Sequence, residues 1–350
     1  MPRTCLVIVD VQLRYVDSVT PQFEKAIHEL IARARASHVP IIYIMHDIQA
    51  QDIAGHNPAL SWVNETHDKG YGDNHCMPLE FAWPCEGELV VMKRSFDSFH
   101  DTGLCGILRD MKVDRIILAG LLTGICVLSS CLSAVARGFH VDLVRDATTD
   151  GSDRANLLLS HVYPSIAHIT TVAQVLPAVP GVLPFRPRQD MLNHLPAIAA
   201  CGTSQRVRPT RCVLMLLNAT AQYLTPVQLQ EVQHLSTEFE QGGIPVFNVG
   251  SRASRRSGVR RGVFDGRTGT ALHDELRRDE LGCLLVAGAR SGVEVVHLVL
   301  DAFNRGFWIT LITDRLYDPD PKRAHLGIAM RCYQGHLVQS VQAHEVVTML

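Results

Sequence analysis

Three polar residues each follow an apolar run, and together they can do chemistry. Asp10 ends CLVIVD (5–10), Lys93 ends LVVMK (89–93), and Cys126 comes shortly after the run that starts at Ile116. A thiol attacks carbon only as its thiolate, which a nearby ammonium stabilises. A carboxylate can take the thiol proton and later hand it to a leaving group. Val127, Leu128, Cys131, Leu132 and Val135 follow Cys126 at helical spacing, and Gly138 stands where a glycine closes a helix. A thiol in the first turn of that helix meets unpaired N–H groups and the positive end of the dipole, both favouring the thiolate. The backbone N–H groups of the preceding turn are suited to holding an oxyanion. By itself Cys126 reads as a buried structural thiol. With Asp10, Lys93 and the turn it reads as the nucleophile of a covalent acyl transfer, predicted to outpace the other nine cysteines in alkylation near neutral pH.

These three residues can meet only if their strands lie side by side and parallel. Residues 5–10, IIYIMH (41–46), 89–92, 116–119, 141–144 and 166–172 read as six buried strands. Thr20-Pro21 supplies an N-cap and first helical residue, and Phe23, Ile27, Leu30, Ile31 and Ala34 give the helix behind them its apolar face. Short apolar runs alternating with helices predict an α/β fold with a doubly wound parallel sheet, whose ligands bind at the carboxyl ends of the strands. A long irregular stretch, residues 48–87, interrupts the pattern. Loops of that length tend to be functional or disordered.

The pattern is then repeated. RCVLMLLNATAQY (211–223) echoes RTCLVIVDVQLRY (3–15), and Thr225-Pro226 echoes Thr20-Pro21, with Gln228 placed to complete a capping box. Residues 287–314 echo 119–146 without a gap, at a constant spacing of 168 that pairs Gly120 with Gly288 and Asp146 with Asp314. The spacing is 205 at the first helix, so the second copy is about 37 residues shorter in the region of the irregular stretch. The expected organisation is a catalytic domain over 1–176, a proline-rich linker over 177–210 and a second domain over 211–350. In that second copy Asn218 replaces Asp10, Arg261 replaces Lys93 and Glu294 replaces Cys126. It is expected not to catalyse this reaction, with Arg261 and Glu294 forming an ion pair at the old site.

Composition narrows the class. The chain of 350 residues is 47% hydrophobic and 19% charged, with net charge −2, which gives no electrostatic signal for nucleic acid or a membrane surface. Ten scattered cysteines without a CxxC pair suit free thiols in a reducing compartment, and the start of the sequence lacks the layout of a signal peptide, so a cytoplasmic location is expected. Five arginines in SRASRRSGVRRG (251–262) read as a solvated loop. His46, His56, His67, His75 and His100 lack the spacing of a metal motif such as HExxH.

The set LVIVDVQ, VMKRSF and AGLLTGICV resembles the isochorismatase-like cysteine hydrolases, a superfamily of nicotinamidases, carbamoylsarcosine and ureidoacrylate amidohydrolases and isochorismatases. The resemblance implies that Asp10, Lys93 and Cys126 form the triad and that Leu121–Leu122 is a cis peptide. It places the oxyanion hole at the N–H groups of Leu122 and Cys126. Gln12, Tyr15, Trp62, Phe96 and Thr123 are expected to touch substrate. The implied reaction is hydrolysis of a C–N bond in a small amide, urea or carbamoyl compound through a Cys126 thioester. Nicotinamidases commonly carry an Asp-x-His metal motif after the second strand; here the residues are His46-Asp47-Ile48-Gln49, and neither a metal nor any other cofactor is expected. The alternatives are vinyl-ether hydrolysis of the isochorismatase type and a non-enzymatic binding or scaffold protein. A homo-oligomer, or a pseudo-dimer of the two copies, is expected from the superfamily's habit of walling the site with a neighbour.

Overall fold

A computed structural model describes residues 3–47, 76–151, 153–178, 211–249, 276, 279, 281–289, 294–319 and 339–347. They divide between two compact units, the first holding the described residues up to 178 and the second those from 211 onward. Most of the predicted linker, 179–210, lies outside the described residues, as do Trp62, Arg261 and the arginine-rich run. Among the described residues no helix is long and apolar enough to cross a membrane.

The first unit is built on strands β1 (Thr4–Val9), β2 (Ile41–His46), β3 (Leu89–Lys93), β4 (Arg115–Leu121), β5 (His140–Thr149) and β6 (His168–Thr170). They form one parallel sheet in the order β3-β2-β1-β4-β5-β6. The register sets Val9 beside both Ile44 and Gly120, and His46 beside Lys93, so β1, β2, β3 and β4 end close together. Runs rich in Val and Ile form these strands because both faces are covered: Leu6, Ile8 and Val9 are wholly buried.

Helix α1 (Pro21–Ala36) starts where Thr20 Oγ1 accepts the N–H of Phe23 at 3.2 Å, with Pro21 just inside. It buries the predicted face, and Ile27 and Leu30 at zero exposure contribute about 1.5–3 kcal/mol each. Arg33 donates to the carbonyls of Val172 and Leu176, at 3.3 and 2.6 Å, and Arg35 pairs with Glu88 at 2.8 Å. These contacts tie the helix to the end of the unit and to the approach to β3.

Gly120 has φ +123°, and a Cβ there would stand 2.1 Å from the carbonyl oxygen of Val9. Only glycine lets β4 run this close to β1 as it turns into the site. The sixth strand is shorter than predicted, because a 3-10 turn at Tyr163–Ser165 precedes it and Asp146 accepts the Val172 N–H at 3.0 Å, starting a helix there. The fifth is longer: after Leu118 pairs with Leu143 the register slips, so that Gly120 meets Thr148.

The second unit repeats the plan with β7 (Arg211–Leu217), β8 (Val246–Val249), β9 (Leu281–Ala289), β10 (Trp308–Tyr317) and β11 (Gln339–Val341). Their order, β11-β10-β9-β7-β8, matches β6-β5-β4-β1-β2. Gly288 has φ +121° and the same 2.1 Å conflict with Leu217 O, and the slip between β9 and β10 sets it opposite Leu316. Thr225 and Gln228 form the predicted capping box, and Asp314 accepts the Ala343 N–H at 2.8 Å as Asp146 accepts that of Val172. The sequence repeat is thus expressed as two copies of one topology.

Candidate active site

Asp10 is the first residue past β1 and has φ +54°, a left-handed conformation that Asp and Asn tolerate better than most residues. Its N–H still donates to Ile44 O at 2.9 Å, so the bend is anchored to β2. Lys93 ends β3. Its Nζ stands 2.9 Å from Asp10 Oδ2 and donates to Phe96 O at 2.8 Å. Both side chains have zero exposure. One ligating atom from each of Asp10, His46 and Cys126 lies within 4.8 Å of the other two. The three residues singled out from the sequence are therefore gathered at the carboxyl ends of the strands, with His46 as a fourth.

Between β4 and Cys126 the chain passes through the Leu121–Leu122 bond, which is cis. A π turn, Thr123–Val127, follows, closed by the Ile125 and Val127 N–H groups, each 3.1 Å from Leu122 O. The α-helix proper, α3 in chain order (after the short α2, Leu104–Asp110), is Leu128–Ala136. Cys126 thus sits in the π turn that leads into the helix and not in the first α-helical turn. Ser130 Oγ donates to Cys126 O at 2.7 Å, and Tyr163 Oη donates to Thr123 O at 2.6 Å, fixing both sides of the turn.

Burial governs the protonation of the site. It raises the Asp10 carboxyl above its ordinary range, against the pull of Lys93. It also raises the Cys126 thiol, helped by the Asp10 charge and opposed by Lys93. For Lys93, burial lowers the pKa, but the Asp10 and Cys126 charges outweigh it and leave the ammonium above its usual value. Burial thus opposes the thiolate that Lys93 favours. A buried pocket with one ammonium is cheapest with one anion. Moving a proton from Cys126 to Asp10 conserves that balance.

The predicted substrate contacts have mixed fates. Gln12 is wholly buried and clamps the backbone of His46: its Nε2 donates to His46 O at 2.9 Å, and its Oε1 accepts His46 N–H at 2.7 Å. This positions the end of β2. Thr123 Oγ1 is 2.9 Å from Thr148 Oγ1, at the slip between β4 and β5. Phe96 supplies the carbonyl that Lys93 grips and packs its ring edge-on against His46 at 5.9 Å. Tyr15 Oη lies 2.7 Å from His46 Nδ1, and burial, with the nearby Cys126 and Asp10 charges, holds its phenol well above the usual value. Tyr15 therefore stays protonated, and its hydroxyl and His46 Nδ1 share one hydrogen bond. Trp62 lies outside the described residues.

His46 is the residue whose place the sequence reading missed. It closes β2 just as Lys93 closes β3 and is directly opposite it in register, so the strand-end rule that placed Asp10 and Lys93 applies equally to it. Asp10, His46 and Cys126 form the kind of donor set a soft divalent metal takes. The Lys93 ammonium, 2.9 Å from the carboxylate, repels such an ion.

Residues 4–174 match the isochorismatase domain family. The first unit carries the isochorismatase domain. Streptothricin hydrolase from Streptomyces noursei is 30% identical over 152 residues, 42% of this chain and 54% of that protein. N-carbamoylsarcosine amidase from Arthrobacter sp is 25% identical over 160 residues, 42% of this chain and 58% of that protein. A solved cysteine hydrolase from Pseudomonas syringae pv. phaseolicola aligns with TM-score 0.44 at 23% identity, over 49% of this chain and 90% of that one. The chain spans about half the length of the first curated relatives it matches.

The isochorismatase-like match ends within the first unit. At the corresponding place in the second unit, Asn218 keeps the left-handed backbone at φ +47° and donates its N–H to Val249 O at 2.7 Å, as Asp10 does to Ile44. Asn218 has no carboxylate, and Glu294 stands where the thiol would be. The expected Arg261–Glu294 pair involves a residue outside the described set.

Proposed function

We propose that the first unit is a cysteine hydrolase that cleaves a C–N bond in a small amide, urea or carbamoyl compound. One observation carries this reading: Lys93 and Asp10 in contact at 2.9 Å, with a ligating oxygen of Asp10 within 4.8 Å of the Cys126 sulfur, all wholly or almost wholly buried beside a turn of backbone N–H groups. The names of two relatives, a hydrolase and an amidase, support it.

In the proposed reaction Asp10 takes the Cys126 proton as Sγ attacks the carbonyl carbon. Lys93 balances whichever of the two is anionic. The N–H groups of Leu122 and Cys126 hold the oxyanion. The tetrahedral intermediate collapses as Asp10 passes its proton to the departing nitrogen, leaving a thioester. Asp10, again a carboxylate, takes a proton from water as that water attacks the thioester. Release of the acid restores the thiol, and one water is consumed per C–N bond broken. No metal is needed for any step.

The test is an ammonia- and amine-release screen over small amides, ureas and carbamoyl compounds, with Cys126→Ala as the paired control. Turnover abolished by Cys126→Ala is expected. A Cys126→Ala variant that remains as active as the parent would refute the thioester route.

A further inference from the structure

Strands β7 and β9 of the second unit meet at an irregularity. Arg211 pairs with Leu281, yet the next residue, Cys212, pairs with Cys283. Gly282 is the extra residue of a bulge, and from there the register runs unbroken to Leu217 opposite Gly288. The bulge sets two cysteines side by side on neighbouring parallel strands. The usual strand spacing of about 4.8 Å falls within the Cα separation of roughly 4.4–6.8 Å that a disulfide accepts. The two thiols hydrogen-bond to each other, and both are half-buried, within reach of a small reagent. In the first unit the corresponding positions are Thr4 and Arg115, joined in a register without a slip. The thiol pair therefore belongs to the second unit alone. It lies at the amino ends of the strands, whereas Asn218 follows the carboxyl end of β7.

We propose that Cys212 and Cys283 form a redox-active dithiol that closes to an intramolecular disulfide by exchange with a low-molecular-weight disulfide. Cys212 is the attacking sulfur. The hydrogen bond from the Cys283 S–H lowers its pKa to about 7 in spite of partial burial. The same bond, with burial, raises the Cys283 thiol above its ordinary range. The Cys212 thiolate attacks one sulfur of the small disulfide, forming a mixed disulfide and releasing one thiolate. Cys283 gives up its proton and attacks Cys212 Sγ, releasing the second thiolate. The protein pair loses two electrons and two protons, and the small disulfide is reduced to two thiols. Cys126 takes no part: it belongs to the other unit and is shielded from solvent.

The test uses the full-length reduced protein and glutathione buffers of increasing oxidised fraction near neutral pH. Remaining thiols are blocked with N-ethylmaleimide, and the digest is read by mass spectrometry without reduction. A peptide cross-linked through Cys212 and Cys283 should be the first oxidation product, and Cys283→Ser should trap a glutathione adduct on Cys212. The alkylation rate of Cys212 should inflect near pH 7 in the parent and near the ordinary thiol value, about 8.5, in Cys283→Ser. Absence of the cross-link at the most oxidising ratio would overturn the proposal. So would an adduct spread evenly over the other cysteines, or an inflection indifferent to Cys283→Ser.

Discussion

Replacing Lys93 by Met should make stability fall more steeply with rising pH than in the parent. The substitution keeps an unbranched side chain one atom shorter and removes the ammonium from a pair that is fully buried on both sides. Asp10 then stays in the core without its counter-ion, a change that typically costs about 3–5 kcal/mol. The lost hydrogen bond to Phe96 O is part of that cost. The carboxyl has a cheaper course, which is to fold protonated. Relative to an unfolded Asp near 3.9, folding in the protonated form costs about 4 kcal/mol at pH 7 and about 1.5 kcal/mol at pH 5. Asp10 is already raised above its ordinary value in the parent, and losing Lys93 raises it further. A carboxyl raised in the folded state favours folding below its unfolded pKa, and that advantage is lost as pH rises through the folded value. The destabilisation by Lys93→Met should therefore shrink by up to about 2.7 kcal/mol between pH 7 and pH 5. Denaturant unfolding of parent and variant at both pH values measures it, and Lys93→Met/Asp10→Asn should recover most of the loss at pH 7. A penalty below about 1 kcal/mol, or one equal at both pH values, would show that the pair is not buried as described.

Asp10→Asn alone removes the charge that helps hold the Cys126 thiol up and leaves the thiolate as the nearest available counter-ion for Lys93. Alkylation of Cys126, followed by peptide mass spectrometry, should quicken while hydrolysis falls about 10²–10⁴-fold. Gly120→Ala drives a Cβ into Val9 O at 2.1 Å and should abolish soluble expression or the cooperative unfolding transition. Gly87→Ala at φ +84°, with nothing within 4 Å, should cost only about 1 kcal/mol by chemical denaturation. Tyr15→Phe takes the hydrogen-bond partner from His46 Nδ1 in a buried site and should cost about 1–3 kcal/mol of stability, with a fall in kcat, by denaturation and steady-state kinetics.

The parts of this protein that could be read in its sequence are those fixed by local pattern. The first helix starts at Pro21 because Thr20 and Pro21 leave few other options, and β2 spans Ile41–His46 because a run of apolar residues has to be covered on both faces. Asp10 and Lys93 were legible because strand ends in a parallel sheet converge. His46 obeys the same rule, closing β2 opposite Lys93. The burial of Cys126 was not legible: chain order shows the helix dipole, whereas the burial that raises the thiol comes from the whole unit. The Cys212–Cys283 pair depends on one extra residue at Gly282, which leaves no trace in hydrophobic pattern. Nor could the sequence show Gln12 turning both ends of its amide to the His46 backbone.

The left-handed residue just past the first strand of each unit separates architecture from reactivity. Asp10 and Asn218 adopt nearly the same backbone angle and make the same main-chain bond to the neighbouring strand, although one has a carboxylate and the other an amide. The aim of the acid is thus a by-product of how the sheet ends, and it persists where no acid is present. Such a position works as a socket: its side chain can be exchanged without redrawing the chain around it. An engineer seeking a new reaction in the second unit would begin with the hardest alignment already in place.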